Sequence, residues 1–144
     1  MPYMADSPFK SISILYRKSH IWLNSGCAQY HLSAAQAVVI LIVCDFGGLP
    51  QDEITKRLSL DKSVIAKTVT KLEETGFLIR TTNAKDKRTY DIRPTEKAWE
   101  VYPAVKEQVD ESFRRMTHQM TDAEREEFKR LLLLAADASL ALDE

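Results

Sequence analysis

From residue 9 to about residue 30 the apolar positions Ile12, Leu15, Tyr16, Trp22, Leu23 and Cys27 fall mostly at helical spacing, which predicts a first helix. Residues 1–7, with Pro2, Asp6 and Ser7, show little periodicity and predict a loose arm. Ser33 followed three residues later by Gln36 is a capping-box pair, in which each side chain satisfies a free backbone donor at a helix start. The run 38–44 is apolar almost all round and has strand propensity, but the cap ahead of it predicts a buried helix, ended by Gly47 and Gly48. Pro50 suits a first helical turn, and Ile54 and Leu58, one turn apart, give a short helix an inward face. Ser59, Leu60 and Asp61 then form a tight connection, with Asp61 placed to cap a further helix that runs to Thr75 and stops at Gly76. Two short helices joined by such a turn are the helix-turn-helix pattern.

Beyond Gly76 the period changes. Residues 77–82 and 88–93 are β-prone, separated by the polar stretch 83–87, and predict a β-hairpin closed by Pro94. A long helix is expected from Thr95 to about Met120, kinked or divided by Pro103. Thr121 and Glu124 form a second capping box, opening a last helix through the leucine run 131–134 to Leu142. The expected fold is mainly α with a small β-hairpin wing: a winged helix-turn-helix over about 33–94, flanked by helices over about 9–30 and 96–142, in one domain of 144 residues.

Composition changes this picture little, but the placement of charge changes it considerably. With 44% hydrophobic and 28% charged residues the chain is that of a globular protein with a core. Neither an uncharged apolar stretch of membrane-spanning length nor a secretory leader is evident, and Cys27 and Cys44 make no disulfide or metal pattern, so a cytoplasmic location without membrane contact is expected. The net charge of −1 argues against a general polyanion binder. Between Lys56 and Lys97, however, eleven Lys/Arg stand against six Asp/Glu, while the remainder holds nine against fifteen. A basic middle between acidic ends fits a phosphate-facing surface, or a merely solvated charged face.

A helical wheel of 62–75 separates these two readings. Ile65, Val69 and Leu72 share one side, with Thr68 at its edge; Ser63, Lys67, Thr70 and Lys71 take the other, with Val64 and Ala66 on its flanks and Lys62 at the start. A helix-wide face of lysine and hydroxyl residues suits the major groove, where lysine reaches guanine acceptors or phosphate and a small apolar side chain meets a thymine methyl. An ordinary surface helix has the same amphipathicity; the short helix before it and the basic hairpin after it favour DNA. The hairpin tip, Lys85, Asp86, Lys87 and Arg88, puts three cations on a turn, and the lone Asp86 makes sense as a hydrogen-bonded partner holding Arg88 for phosphate or the minor groove.

Across residues 32 to about 98 the chain resembles the MarR (multiple antibiotic resistance regulator) family. The residues that carry the resemblance are Leu32 and Ser33 with Gln36, Gln51, Asp52, Glu53 and Ile54 with Leu58, and Leu60, Asp61, Ser63 and Ile65. It continues through Lys71, Leu72 and Glu73, then Gly76 to Arg80, the wing pair Asp86 and Arg88, and Pro94, Thr95 and Glu96. The resemblance implies a homodimer interlocked through its first, fifth and sixth helices, each winged helix entering a major groove of a double-stranded, near-palindromic operator. It also implies that Arg88 is the minor-groove arginine with Asp86 as its partner, and that residues 62–71 supply the recognition face. Val64 and Ala66 depart from the hydroxyl residues common at those positions, and Ala98 from the frequent glycine.

Proteins that resemble this chain are in many cases released from DNA by small aromatic anions, which would place a ligand near Tyr16, Arg17, His20, Trp22 and Tyr30; packing of a dimer core accounts for the same residues. Cys27, near a helix end and expected to be partly exposed, is the candidate for a peroxide-sensing thiol, against a plain core role. His20, His31 and His118 have no paired ligand spacing, and neither a metal nor a cofactor is expected. An enzyme is disfavoured by the lack of a phosphate loop, nucleophile elbow or metal cluster. The remaining alternative is a winged helix used for protein contact or DNA architecture.

Overall fold

The computed structural model describes residues 7–142, so the expected arm lies outside the described residues except for Ser7. Helix α1 (Pro8–Cys27) passes through a short 3-10 turn (Ala28–Tyr30) that ends at His31 in the left-handed region, φ 61°. Helix α2 (Ala34–Phe46) begins at Ser33, whose hydroxyl accepts from the Gln36 N–H while the Gln36 side chain accepts from the Ser33 N–H. Asn24 on α1 adds a carboxamide oxygen accepting from the Ala34 N–H at 2.6 Å, which ties the two helices at their junction. The apolar run 38–44 is thus helical, with Val39, Ile40, Val43 and Cys44 buried. Local capping chemistry outweighs β-propensity in a run whose side chains are all buried or half-buried.

Gly47, at φ 69°, turns the chain into β1 (Leu49–Pro50), a strand that the sequence pattern does not predict. Leu49 pairs with Ile92 and Pro50 with Asp91, giving a three-stranded antiparallel sheet in the order β1-β3-β2. Two residues are too few to show an alternation. Pro50 is tolerated because β1 is an edge, and it serves as the N-cap of α3 (Gln51–Leu58) rather than sitting in its first turn. Ser59, left-handed at φ 51°, closes α3. Helix α4 (Lys62–Glu74) follows, with Asp61 at its N-cap position but without the expected side-chain capping bond.

Strands β2 (Leu78–Thr82) and β3 (Tyr90–Pro94) form the hairpin, so the second strand starts two residues later than its β-prone run and Arg88 belongs to the tip. Helix α5 (Glu96–Met116) is capped by Thr95 and is not divided at Pro103; it ends four residues before the expected Met120. Helix α6 (Asp122–Ala141) opens on the Thr121–Glu124 capping box, as the sequence predicts.

Helix α2 is central. Ile40 and Val43 join Ile54 of α3, Ile65, Val69 and Leu72 of α4, Ile92 of β3, and Ala98 and Val105 of α5 in one core. Ala98, the departure from glycine, is fully buried at the start of α5. Helix α1 lies along α5, where the Trp22 Nε1–H donates to the Gln108 carbonyl at 3.0 Å and the Arg115 guanidinium stands 4.0 Å over the Trp22 ring. Helix α6 differs from the others in that none of its residues is buried, and Leu131, Leu132, Leu133 and Leu134 are 41–62% exposed. Its base is held by Arg125, which donates to the buried Thr117 hydroxyl, and by stacking of Phe128 on Phe113. No single helix is long and apolar enough to cross a membrane among the described residues.

Candidate nucleic-acid interface

Helix α4 alternates as its wheel predicts. Ile65, Val69 and Leu72 are fully buried against the rest of the winged helix, while Lys62, Ser63, Val64, Lys67 and Lys71 are exposed. Ala66 and Thr70 are half-buried on the flank. Two hydroxyls that look free in the sequence are engaged inside the protein. The Thr68 hydroxyl donates to the Val64 carbonyl at 2.8 Å, and the Thr70 hydroxyl accepts from Arg80 Nη2 at 2.8 Å. The free polar groups of the face are therefore Ser63 and the lysines, with Val64, 42% exposed, as an apolar contact between them.

The wing tip is built from its own backbone. Asn83 Oδ1 accepts from the Lys85 and Asp86 N–H groups, both at 2.9 Å, and its Nδ2 donates to both Asp91 carboxylate oxygens. The Asp86 carboxylate then accepts three bonds from Arg88: from Nε and the backbone N–H on Oδ1 at 3.0 Å, and from Nη2 on Oδ2 at 3.1 Å. The bidentate pair expected from the sequence is thus present, with the Arg88 side chain 88% exposed and Asp86 41%. Side-chain and backbone bonds from Arg88 hold the Asp86 carboxyl below the usual carboxylate range, and the same pair raises the Arg88 guanidinium. Asp86 therefore stays ionised and Arg88 stays cationic and oriented. The result is a cation held off the protein surface by a fixed fork. Lys85 and Lys87 flank it, exposed.

Arg80 was not singled out as a site residue by sequence reasoning. It sits on β2, half-buried, and its Nη2 also donates to the Ala66 carbonyl at 3.2 Å. Its Cζ lies 5.2 Å from the Tyr90 ring centroid. The available signal was strand parity: Arg80 shares a face with buried Leu78, whereas Ile79, between them, is 45% exposed.

The residues expected near a ligand are not brought together. Tyr30 lines a cavity of about 400 Å³ with His31, Thr75, Phe77, Lys97, Glu100 and Val101, between the helical part and the winged helix. Trp22 lines a separate groove of about 500 Å³ between α1 and α5. The Tyr16 and His20 rings lie on α1 with centroids 4.2 Å apart and tilted by 34°, outside both cavities, and exposed Arg17 also lies outside both. Cys27 is fully buried and burial pushes its thiol up, which corrects the expected partial exposure and works against a reactive thiolate. Cys44 is also buried, its thiol pushed up to about 11 by desolvation and by Asp45. Among the described residues no group of three or more His, Cys, Asp or Glu is placed to hold a metal.

The arrangement can be set beside known proteins. The sequence profile of the MarR family matches residues 32–90, which include the helix-turn-helix and the wing tip. The uncharacterized HTH-type transcriptional regulator YybA of Bacillus subtilis (strain 168) is 25% identical over 101 residues, 70% of this chain and 67% of that protein. The crystal structure of a MarR transcriptional regulator from Methanosarcina mazei Go1 superposes with a TM-score of 0.87 at 26% identity, covering 92% of this chain and 96% of that one. CouR from Rhodococcus jostii RHA1, solved bound to p-coumaroyl-CoA, shares the fold with a TM-score of 0.83 at 22% identity over 94% and 96% of the two chains. The chain is thus similar to the MarR family of transcriptional regulators, by the family profile over residues 32–90 and by a fold shared over nearly its whole length.

Proposed function

We propose that the chain acts as a homodimeric, cytoplasmic repressor that occupies a near-palindromic operator and is released by a small aromatic or anionic effector. The observation that carries the reading is α6. It exposes four consecutive leucines, and α1 exposes Phe9, Ile12, Ile14 and Ile21, so the two ends of the chain leave apolar surface that a second copy would cover. A two-fold dimer presents two α4 faces and two wings in symmetric positions, so its preferred site has matching half-sites about one helical turn apart. Lys62, Ser63, Val64, Lys67 and Lys71 then face the major groove, with half-buried Ala66 and Thr70 at its edge and the Thr70 hydroxyl held by Arg80, and Lys85, Lys87 and the Asp86-held Arg88 reach the flanking phosphates or minor groove. A dimer seated over a promoter blocks polymerase without further chemistry.

The effector reading rests on the cavity between Tyr30 and Lys97, which joins the helical part to the winged helix. An aromatic ring against Tyr30 with an anion toward Lys97 would pull on the Thr75 carbonyl, to which Lys97 Nζ donates at 2.6 Å, and so on the end of α4. CouR was solved with an aromatic acyl-CoA, which is consistent with this class of ligand. Of the other ligand candidates, Trp22 retains a groove of its own, while Tyr16, Arg17 and His20 lie where a partner's helices would pack.

The test is fluorescence-anisotropy binding to the chain's own upstream promoter and to scrambled DNA at two salt concentrations. Specific binding with a steep salt slope, by a species of dimer mass, is expected. Equal affinity for both duplexes would favour a DNA-architectural role instead, and no binding to either a protein-contact role. A finer prediction concerns Val64. Replacing thymine by uracil in the operator, which removes only the C5 methyl, should weaken wild-type binding about fourfold at one position per half-site, from the loss of one buried methyl. The Val64→Ala protein should be insensitive to the same replacement; a uracil-indifferent wild type would remove Val64 from base readout.

A further inference from the structure

Arg80 stands on the inner face of β2 and reaches two points one turn apart on α4. A single nitrogen, Nη2, donates to the Ala66 carbonyl at 3.2 Å and to the Thr70 hydroxyl at 2.8 Å. Its guanidinium also lies against the ring of Tyr90, on the other wing strand. One side chain therefore touches the recognition helix and both strands of the wing. The same side chain carries a flaw: Arg80 Nε is buried and has no hydrogen-bond partner. A buried donor without an acceptor destabilises the fold, and an apolar side chain of similar length would fill an inner-face position without that cost.

We propose that Arg80 is a positioning residue for DNA recognition: it locks the wing to the recognition helix, so that the Arg88 fork and the α4 face meet the same duplex in fixed register. The inference rests on the operator-binding reading above. The helix and the wing share a core through Leu72, Leu78 and Ile92, but apolar packing is non-directional, and a tilt of their outer faces against one another would lower discrimination. The clamp removes that freedom. It acts through Thr70, whose hydroxyl is consequently held by the protein, and through the Ala66 carbonyl, so Arg80 need not contact DNA itself.

The experiment compares wild type, Arg80→Met, Arg80→Lys and Thr70→Val on an operator selected from a randomised duplex library and on random duplex, across a salt series. Arg80→Met should keep or raise the thermal midpoint. It should lower the operator-to-random affinity ratio roughly tenfold, the usual scale for losing a hydrogen bond to a charged group. The salt slope on random duplex should stay at the wild-type value, because no phosphate contact is removed. Hydroxyl-radical protection under the wing should fade while protection of guanine N7 in the major groove persists. Arg80→Lys, which keeps one donating nitrogen, should recover part of the ratio. Thr70→Val should reproduce the defect and add nothing to Arg80→Met in the double variant, which also covers the case of an Arg80→Met protein that fails to fold. A salt slope reduced by about one per protomer would make Arg80 a direct phosphate contact and overturn the proposal. An unchanged ratio, or fully additive Thr70 and Arg80 effects, would also overturn it. A wild type without preference for any operator would instead refute the operator reading, and the clamp with it.

Discussion

Arg88→Ala is expected to lower operator affinity roughly a hundredfold, since each of two wings loses a contact of the size usual for a groove-reading side chain. The fold should be unaffected. Arg88 is almost fully exposed, and its only ties are to Asp86 within the same turn. An equilibrium unfolding curve that overlays the wild type, beside an anisotropy titration shifted to higher concentration, is the expected pair of results. A variant binding as tightly as the wild type would remove the wing from the docking scheme. Asp86→Asn should show a smaller loss, because the cation remains but its fork is no longer held by charge.

The pH dependence of this pair follows from its sign. The Asp86 carboxyl lies below the ordinary carboxylate range, so its ordering contribution is present above its unfolded pKa and is lost only as pH falls through the lower folded value. Between about pH 8 and pH 5, above the carboxylate reference range, the pair should give no step in DNA binding. A step there would have to come from another group.

The second large effect concerns α6. Leu131→Asp with Leu134→Asp, one turn apart on a helix with no residue fully buried in its own chain, should convert a dimer into a monomer by light scattering. Operator affinity should then fall by about a hundredfold or more, because the second half-site no longer benefits from tethering. Circular dichroism should change little, since the Thr121–Glu124 box and the Arg125–Asp122, Lys129–Glu126 and Arg130–Glu127 pairs support the helix locally. A wild type that is already a monomer while binding its operator fully would overturn the dimer reading.

Most of the fold was legible because its boundaries are set by local chemistry. Ser33 with Gln36 and Thr121 with Glu124 mark helix starts whatever surrounds them, and the capping box correctly ranked helix over strand for 38–44. The wing pair was legible for the same reason, as Asp86 and Arg88 bond within three residues. What escaped depends on tertiary partners. Strand β1 exists only because β3 arrives 40 residues later to pair with Leu49 and Pro50. Arg80 escaped because the alternation around it is inverted, with apolar Ile79 outward and the cation inward, an order that makes sense only once α4 supplies Ala66 and Thr70 as acceptors. Cys27 looked exposed from its place at a helix end, but the turn 28–30 folds the chain back and buries it.

The division of labour along α4 bears on how such a protein changes over generations. The residues that hold the helix in the fold, Ile65, Val69 and Leu72, interleave with those that face outward, Ser63, Val64, Lys67 and Lys71, without sharing any position. Substitutions at the outward set cost almost nothing in folding free energy, as exposed positions generally do. After a gene duplication, one copy could thus drift at Val64 or Lys67 to a different target while remaining fully folded, and two daughter regulators would separate their gene sets before either lost its scaffold.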